Sequence, residues 1–327
     1  MIHNDDAFTT MLLSVPITPD KEELARPLSP EEFARLDALA LGTRPGSLGA
    51  LIDIDMSGLM LRYGVREADA YRICLLLSRN LPLSFLLERL GASGIDLVTV
   101  YDGAYPGRIR GALGDKTPPT LFLRGRPELF RQNAIAILGA VPPRGEAEAH
   151  VRALVRQASA EDYVILTDGM TGLGRIAEDE AYLSGGRVIS FLPGALMERI
   201  EKPMLSKLIE EKRGAAVSPL HPEALPTKHH GLARARCLYA QASAVFVFGC
   251  ELKKGDTWVS AVEALRERAC RYIYAWEPSP YPGNRALIER GALPFPGPVN
   301  FSQLAGVWQG AEARQLSFFD WEAPAPR

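Results

Sequence analysis

No apolar run in these 327 residues approaches the ~20 needed to span a bilayer. The opening residues, MIHNDDAFTT, are acidic and polar, without the basic start and apolar stretch of a secretory signal. The chain is therefore expected to stay in the cytoplasm and away from membranes. Cysteine is scarce: Cys74, Cys237, Cys250 and Cys270 form no C-x-x-C pair, and buried free thiols in a reducing compartment are expected. The spacing of Cys237 from His229 and His230 matches no common zinc pattern, so neither metal nor cofactor is expected. A nucleophile elbow (G-x-S-x-G), an H-E-x-x-H pair and a Walker A loop are all missing, and no catalytic set stands out. The formal net charge is only −2, so any contact with nucleic acid has to come from a local cluster of Arg and Lys.

With 47% hydrophobic residues, the chain can build one large core and a smaller one. Residues 1–28, with Pro16, Pro19 and Pro27, read as a loose arm. Ser29-Pro30-Glu31-Glu32 is a helix start, with serine as cap, proline in the first turn and acids facing the helix dipole. From there to residue 95 the pattern is helical: one helix over Glu67 to Arg79, a break at Asn80-Leu81-Pro82, and a second helix carrying Phe85, Leu86, Leu87 and Leu90. This predicts a small all-helical domain over residues 29–95. Strand-like, mostly apolar runs follow at Ile95–Tyr101, Leu121–Leu123, Ala134–Leu138, Tyr163–Leu166, Arg187–Leu192, Val245–Phe248 and Tyr272–Ala275. Strands covered on both faces read this way, and helical segments separate most of them. Residues 96–296 are thus predicted to form an α/β, Rossmann-like, doubly wound and mostly parallel sheet. Residues 297–327 are left as a tail.

Such sheets bind ligands outside the carboxyl ends of their strands. Two groups of residues are placed there by the pattern. The first is the glycine-rich turn from Thr167 to Gly174, between a strand and a helix. Gly169, Gly172 and Gly174, with Gly139 at an earlier strand end, would let backbone amides approach an anion. The same turn also serves as a plain connection in many α/β folds. The second is basic: Lys228 through Arg234-Ala235-Arg236 ahead of one strand, and Lys253-Lys254 after it. Guanidinium groups suit phosphate because their donors form a planar fork. A short charge run is also the ordinary composition of a solvated helix face. Glu178 and Glu180, on the helix after the turn, could do acid–base work, but exposed helix carboxylates are usually just solvated.

From residue 101 to about 292 the order of these pieces resembles the DprA/Smf DNA-processing family. Asp102-Gly103-Ala104-Tyr105-Pro106 is similar to its "D..YP" segment, and Pro118-Pro119 through Gly125 to its "PP..L...G". Ile135–Gly139 resembles the strand ending "aIvGsR", and Thr167–Gly186 resembles "SGlA.GID...H......GG". Arg234-Ala235-Arg236 resembles "RNR", Lys254-Gly255 with Ser260-Ala261 resembles "SG…TA", and Asn284–Ala292 resembles "G.n.LI..GA". The resemblance implies a Rossmann-like domain, a homodimer, binding of single-stranded DNA and its delivery to the recombinase RecA, without turnover chemistry. On it, Arg234, Arg236, Lys253, Lys254 and Lys228 would contact phosphates beside Gly139, Gly169, Gly172 and Gly174. The departures are Ala140-Val141 for Ser-Arg, Thr167-Asp168 for Ser-Gly, Gly174 for Asp, Glu178 for His and Ala235 for Asn. Several remove a polar or cationic group from the rim of the pocket.

The tail carries Gln315-Leu316-Ser317-Phe318-Phe319, which resembles the bacterial sliding-clamp-binding peptide QL[SD]LF. A glutamine and paired apolar anchors on a terminal segment suit a preformed groove. Two other readings stay open beside DNA binding. One is a nucleotide-binding or nucleotide-hydrolysing enzyme, although Leu192-Pro193-Gly194-Ala195 lacks the PGGxGTxxE motif of the related phosphoribohydrolases. The other is a clamp-docking adaptor that has lost DNA binding.

Overall fold

The computed structural model describes residues 4–19, 23–139, 146–169 and 172–295, with Lys228 described by its backbone only. Five helices come first: α1 (Asp5–Ser14), α2 (Pro30–Gly42), α3 (Met56–Tyr63), α4 (Glu67–Leu77) and α5 (Asn80–Ala92). Then follow β1 (Asp96–Thr99), α6 (Gly107–Leu113), β2 (Thr120–Gly125), β3 (Ala134–Gly139), α7 (Ala147–Ala160), β4 (Val164–Thr167), α8 (Leu173–Leu183), β5 (Arg187–Phe191), α9 (Leu196–Ile200), α10 (Pro203–Glu210) and β6 (Gly214–Ser218). The last are α11 (Lys228–Gln241), β7 (Ala244–Gly249), α12 (Gly255–Glu267), β8 (Tyr272–Trp276), α13 (Pro282–Ile288) and β9 (Leu293–Phe295).

The described strands form one sheet in the order β1-β2-β6-β5-β4-β3-β7-β8-β9. From β6 to β9 every neighbouring pair is parallel, while β2 runs antiparallel to both β1 and β6. This is the α/β, Rossmann-like architecture that the alternating runs predict. Chain order reverses direction between β3 and β7, because β4, β5 and β6 extend to one side and β8 and β9 to the other. A reversal of this kind opens a crevice at the carboxyl ends of the two strands.

Strand alternation divides the apolar side chains into two layers. Ala136, Leu166, Val245 and Val247 face α6, α11, α12 and α13; Ile135, Ile137, Ile165 and Phe246 share a core with α7 and α8. The helical region packs on the α8 side at the far end of the sheet. Its core of Leu36, Leu59, Leu76 and Leu86 is continuous with Phe122 of β2, Ala216 of β6 and Leu205 of α10. Ser29 caps α2 as expected: its side chain accepts from the Glu32 amide, and the Glu32 carboxylate accepts from the Ser29 amide.

The loose arm expected over residues 1–28 is corrected by α1. Asn4 caps this helix, and Met11, Leu12, Leu13 and Val15 have no exposed surface. The Leu28 amide then donates to the Leu13 carbonyl (2.9 Å), tying the following segment back to the helix. Apolar mass at Met11-Leu12-Leu13 outweighs the proline density that suggested a mobile arm. Leu12→Ala is therefore expected to cost about 2–5 kcal/mol in urea unfolding, where a loose arm would give no change.

Among the described residues no helix is long and apolar enough to cross a membrane. All four cysteines are free. Burial raises the thiols of Cys237 and Cys250 to about 12 and that of Cys270 to about 11, which leaves them unreactive. Cys74 is the one with partial exposure. Ala140, Val141 and the tail with Gln315, Leu316, Ser317, Phe318 and Phe319 lie outside the described residues.

Candidate nucleic-acid interface

The crevice at the carboxyl ends of β3 and β7 is framed by four pieces. These are the end of β3, the glycine-rich turn after β4, the first turns of α11, and the loop from Cys250 to Lys254 after β7. Helices that follow or precede parallel strands run against them. The N-termini of α8, α11 and α12 therefore gather at this edge, and with them the positive ends of three helix dipoles. Thr227 caps α11 by accepting from the His230 amide (3.2 Å), and the His230 ring contacts the Leu225 carbonyl (2.8 Å).

Arg234 is the cation most tightly held here. It is only 5% exposed, and its guanidinium stands 3.6 Å from the Asp168 carboxylate, beyond hydrogen-bond distance. Its Nε is buried without a hydrogen-bond partner among the described residues. A buried donor on a charged group is costly to leave unmade, so the site favours an acceptor. Lys253 and Lys254 are exposed on the loop after β7 and form no ion pair with a described residue. Gly255, at φ +75°, lets the chain turn from this loop into α12.

Arg236 does not join them. Its Nε donates to the Glu263 carboxylate (2.8 Å) on α12, and Nη2 lies 2.7 Å from the same oxygen. Two residues along a helix are turned ~200° apart, so Arg234 and Arg236 cannot face one edge together. The R-x-R spacing divides into one residue for the crevice and one for the interface between α11 and α12.

Three of the glycines make room for this chain's own side chains. A Cβ on Gly139 would meet Leu173 at 2.3 Å, one on Gly169 would meet Leu192 at 2.3 Å, and one on Gly174 would meet the Asp168 carboxylate at 2.3 Å. Gly172 caps α8 at φ +85°, a backbone conformation that other residues rarely adopt. The Asp168 carboxylate thus lies over the N-terminal turn of α8 and beside Arg234, where a bound anion would be expected.

Beneath the turn, a closed ring of hydrogen bonds fixes its shape. The Gly169 amide donates to Thr167 Oγ1 (3.3 Å), and Thr167 Oγ1 donates to Glu178 Oε1 (2.7 Å). Arg199 Nη2 donates to Glu178 Oε2 (2.7 Å) while its Nε donates to the Gly169 carbonyl (2.8 Å). Ser190 Oγ adds a further bond to Glu178 Oε1 (2.6 Å). The expectation of exposed carboxylates is overturned here: Glu178 is 1% exposed, and Glu180 is buried between Arg152 and Arg156 of α7 at 3.1 and 2.9 Å. Arg199 and Asp168 are the residues that motif reading missed. Arg199 comes from α9, a five-residue helix after β5, and nothing local distinguishes it from the other arginines.

Comparison with known proteins identifies the family and the fold. The profile of the family described as DNA recombination-mediator protein A matches residues 96–303. Among solved structures, DNA processing protein A from Streptococcus pneumoniae superposes with a TM-score of 0.54 at 18% identity, covering 82% of this chain and 95% of that one. DNA processing protein A from Helicobacter pylori, solved for its single-stranded-DNA binding mode, gives 0.53 at 22% identity, covering 64% of this chain and 95% of that one. At these identities both show a shared fold. No curated relative matches the chain.

Proposed function

This chain belongs to the DNA recombination-mediator protein A family, and on that footing we propose that it binds single-stranded DNA at the carboxyl edge of its sheet. The observation that carries this reading is Arg234: a buried guanidinium whose Nε has no partner among the described residues, near the edge where three helix N-termini gather. A strand phosphate would supply the missing acceptor. Lys253 and Lys254 extend positive charge outward along the loop after β7, and the Lys228 backbone opens α11 on the same edge. Gly172 would leave the first amides of α8 open to a phosphate oxygen. Arg236 acts through the packing of α12 rather than through DNA. Contacts of this kind read the backbone and not the bases, so binding is sequence-independent and salt-sensitive.

Delivery of the bound strand to RecA, pairing into a homodimer and docking on the sliding clamp through Gln315–Phe319 belong to the same proposal. No catalytic step is part of it.

Asp168 tunes the site. Its carboxylate neutralises Arg234 and occupies the N-terminus of α8, so an incoming phosphate has to displace it. Asp168→Asn keeps the shape and removes the competing charge. The variant is expected to bind a labelled single strand about 3- to 10-fold more tightly, a gain of up to about 1.4 kcal/mol. The test is a competition assay read by fluorescence anisotropy. Unlabelled single strand should displace the probe, duplex of equal length should do so poorly, and Asp168→Asn should sharpen both titrations. Weaker binding by Asp168→Asn would place the anion elsewhere.

A further inference from the structure

The segment Asp102–Pro106 is one of the marked motifs of the sequence, yet it has no part in the crevice described above. With the first turn of α6 and the turn at Pro127–Arg131 it walls a separate cavity of about 640 Å³. Arg108, next to the lining residue Gly107 on α6, donates to Asn133 and Ser243, which lead into β3 and β7, at 2.8 and 2.9 Å. The crevice is at the other ends of those two strands.

We propose that this cavity binds a phosphate ester of mononucleotide size. Two exposed arginines line it. Arg110 Nη1 donates to the Val100 carbonyl (3.0 Å) and Arg131 Nη2 to the Gly103 carbonyl (3.3 Å). Each guanidinium carries five N–H donors, so one tether to the loop orients the group and leaves others for a ligand. The acids at the rim have partners already. Asp102 accepts from the Thr99 amide and hydroxyl (2.7 and 2.9 Å), and Glu128 pairs with Arg126 (3.4 Å). Tyr105 and Phe130, both nearly buried, and Pro106 and Pro127 give apolar walls against which a sugar or base can lie. The Tyr105 hydroxyl donates to the Pro118 carbonyl (2.6 Å), which keeps that wall rigid. The volume falls in the ordinary range for small-ligand sites, ~300–1,000 Å³. Two guanidiniums and apolar walls in one cavity favour a phosphorylated, ring-bearing ligand, and a free nucleotide or the terminal nucleotide of a strand would satisfy them equally.

Calorimetric titration of the full chain with thymidine 5′-monophosphate tests the proposal. Binding is expected for the monophosphate and not for thymidine at the same concentration. Arg110→Ala with Arg131→Ala should weaken it at least ~10-fold, a loss of about 1.4 kcal/mol or more. Arg234→Ala should leave it unchanged, which separates this cavity from the crevice whatever the crevice binds. Should the alanine pair fold poorly, Arg110→Gln with Arg131→Gln keeps the stems and removes the charge, with the same expected loss. Oligonucleotides with and without a 5′-phosphate distinguish the sources: preference for the phosphorylated end identifies a strand terminus, equal affinity a free nucleotide. No heat with the monophosphate, equal binding by thymidine, or full affinity in the double variant would overturn the proposal.

Discussion

Arg234→Ala is expected to lower the affinity for single-stranded DNA by at least ~10-fold, and to make the remaining binding less sensitive to salt by about one phosphate contact. The reason lies in how the side chain is held. Among the described residues its Nε is buried without a partner, and its charge faces only Asp168 at 3.6 Å. A phosphate that replaces Asp168 gains a charged donor already fixed in place, and such a bond is worth roughly 1.5–3 kcal/mol. The same substitution removes a buried charge with an incomplete hydrogen-bond set, so thermal stability should change little. Arg236→Ala gives the contrast. It breaks the pair with Glu263 between α11 and α12 and should leave DNA affinity within about 2-fold of the parent protein. Equal losses from the two variants, measured by anisotropy at constant salt, would mean that both arginines reach the strand.

Glu178→Ala should produce the largest loss of stability, about 3–5 kcal/mol in urea unfolding. It would leave Arg199, 14% exposed at its side chain, without its carboxylate, and take from the buried hydroxyls of Thr167 and Ser190 their shared charged acceptor. Glu178→Gln keeps an acceptor for the hydroxyls while removing the charge facing Arg199, and should cost less than the alanine. Stability is one readout; the turn is the other. Arg199 holds the Gly169 carbonyl, and losing its counter-charge frees it to leave. DNA affinity should therefore fall in Glu178→Gln even under conditions where the protein is fully folded. A variant that loses stability but binds the strand normally would show that the ring below the turn supports the core alone.

The layered architecture was legible because β3, β4, β5, β7 and β8 are mostly apolar runs of four to six residues, and such runs imply strands covered on both faces. β6 was missed. Its sequence, Gly214-Ala-Ala-Val-Ser218, has little side-chain mass, yet it is fully buried because β2 and β5 close on it from either side. Without β6 there was no way to read the antiparallel extension through β2 to β1. The burial of α1 was hidden for a related reason. Its apolar content is a short run, Met11-Leu12-Leu13, whose partners on α2, α4 and α5 are distant in sequence.

The candidate site was legible in its position and less so in its chemistry. The glycine-rich turn and the basic segment before β7 both fall at the carboxyl edge, as a strand–turn–helix pattern requires. Helical period alone separates Arg234 from Arg236, but it does not say which one faces the crevice. Glu178 looked like a solvated carboxylate because its partners, Ser190 and Arg199, lie 12 and 21 residues away on other elements. Asp168 is a change from the Ser-Gly of the resembling family, and its meaning came only from its distance to Arg234 and its place over α8.

The most direct test of the central claim is the fluorescence anisotropy of a labelled single-stranded oligonucleotide titrated with the unmodified protein at two salt concentrations. The account predicts tight binding at low salt that weakens steeply at the higher one, as strand phosphates exchange cations of the protein for those of the solution. Absence of binding at low salt would contradict it, and would mean that Asp168 has closed the crevice to anions.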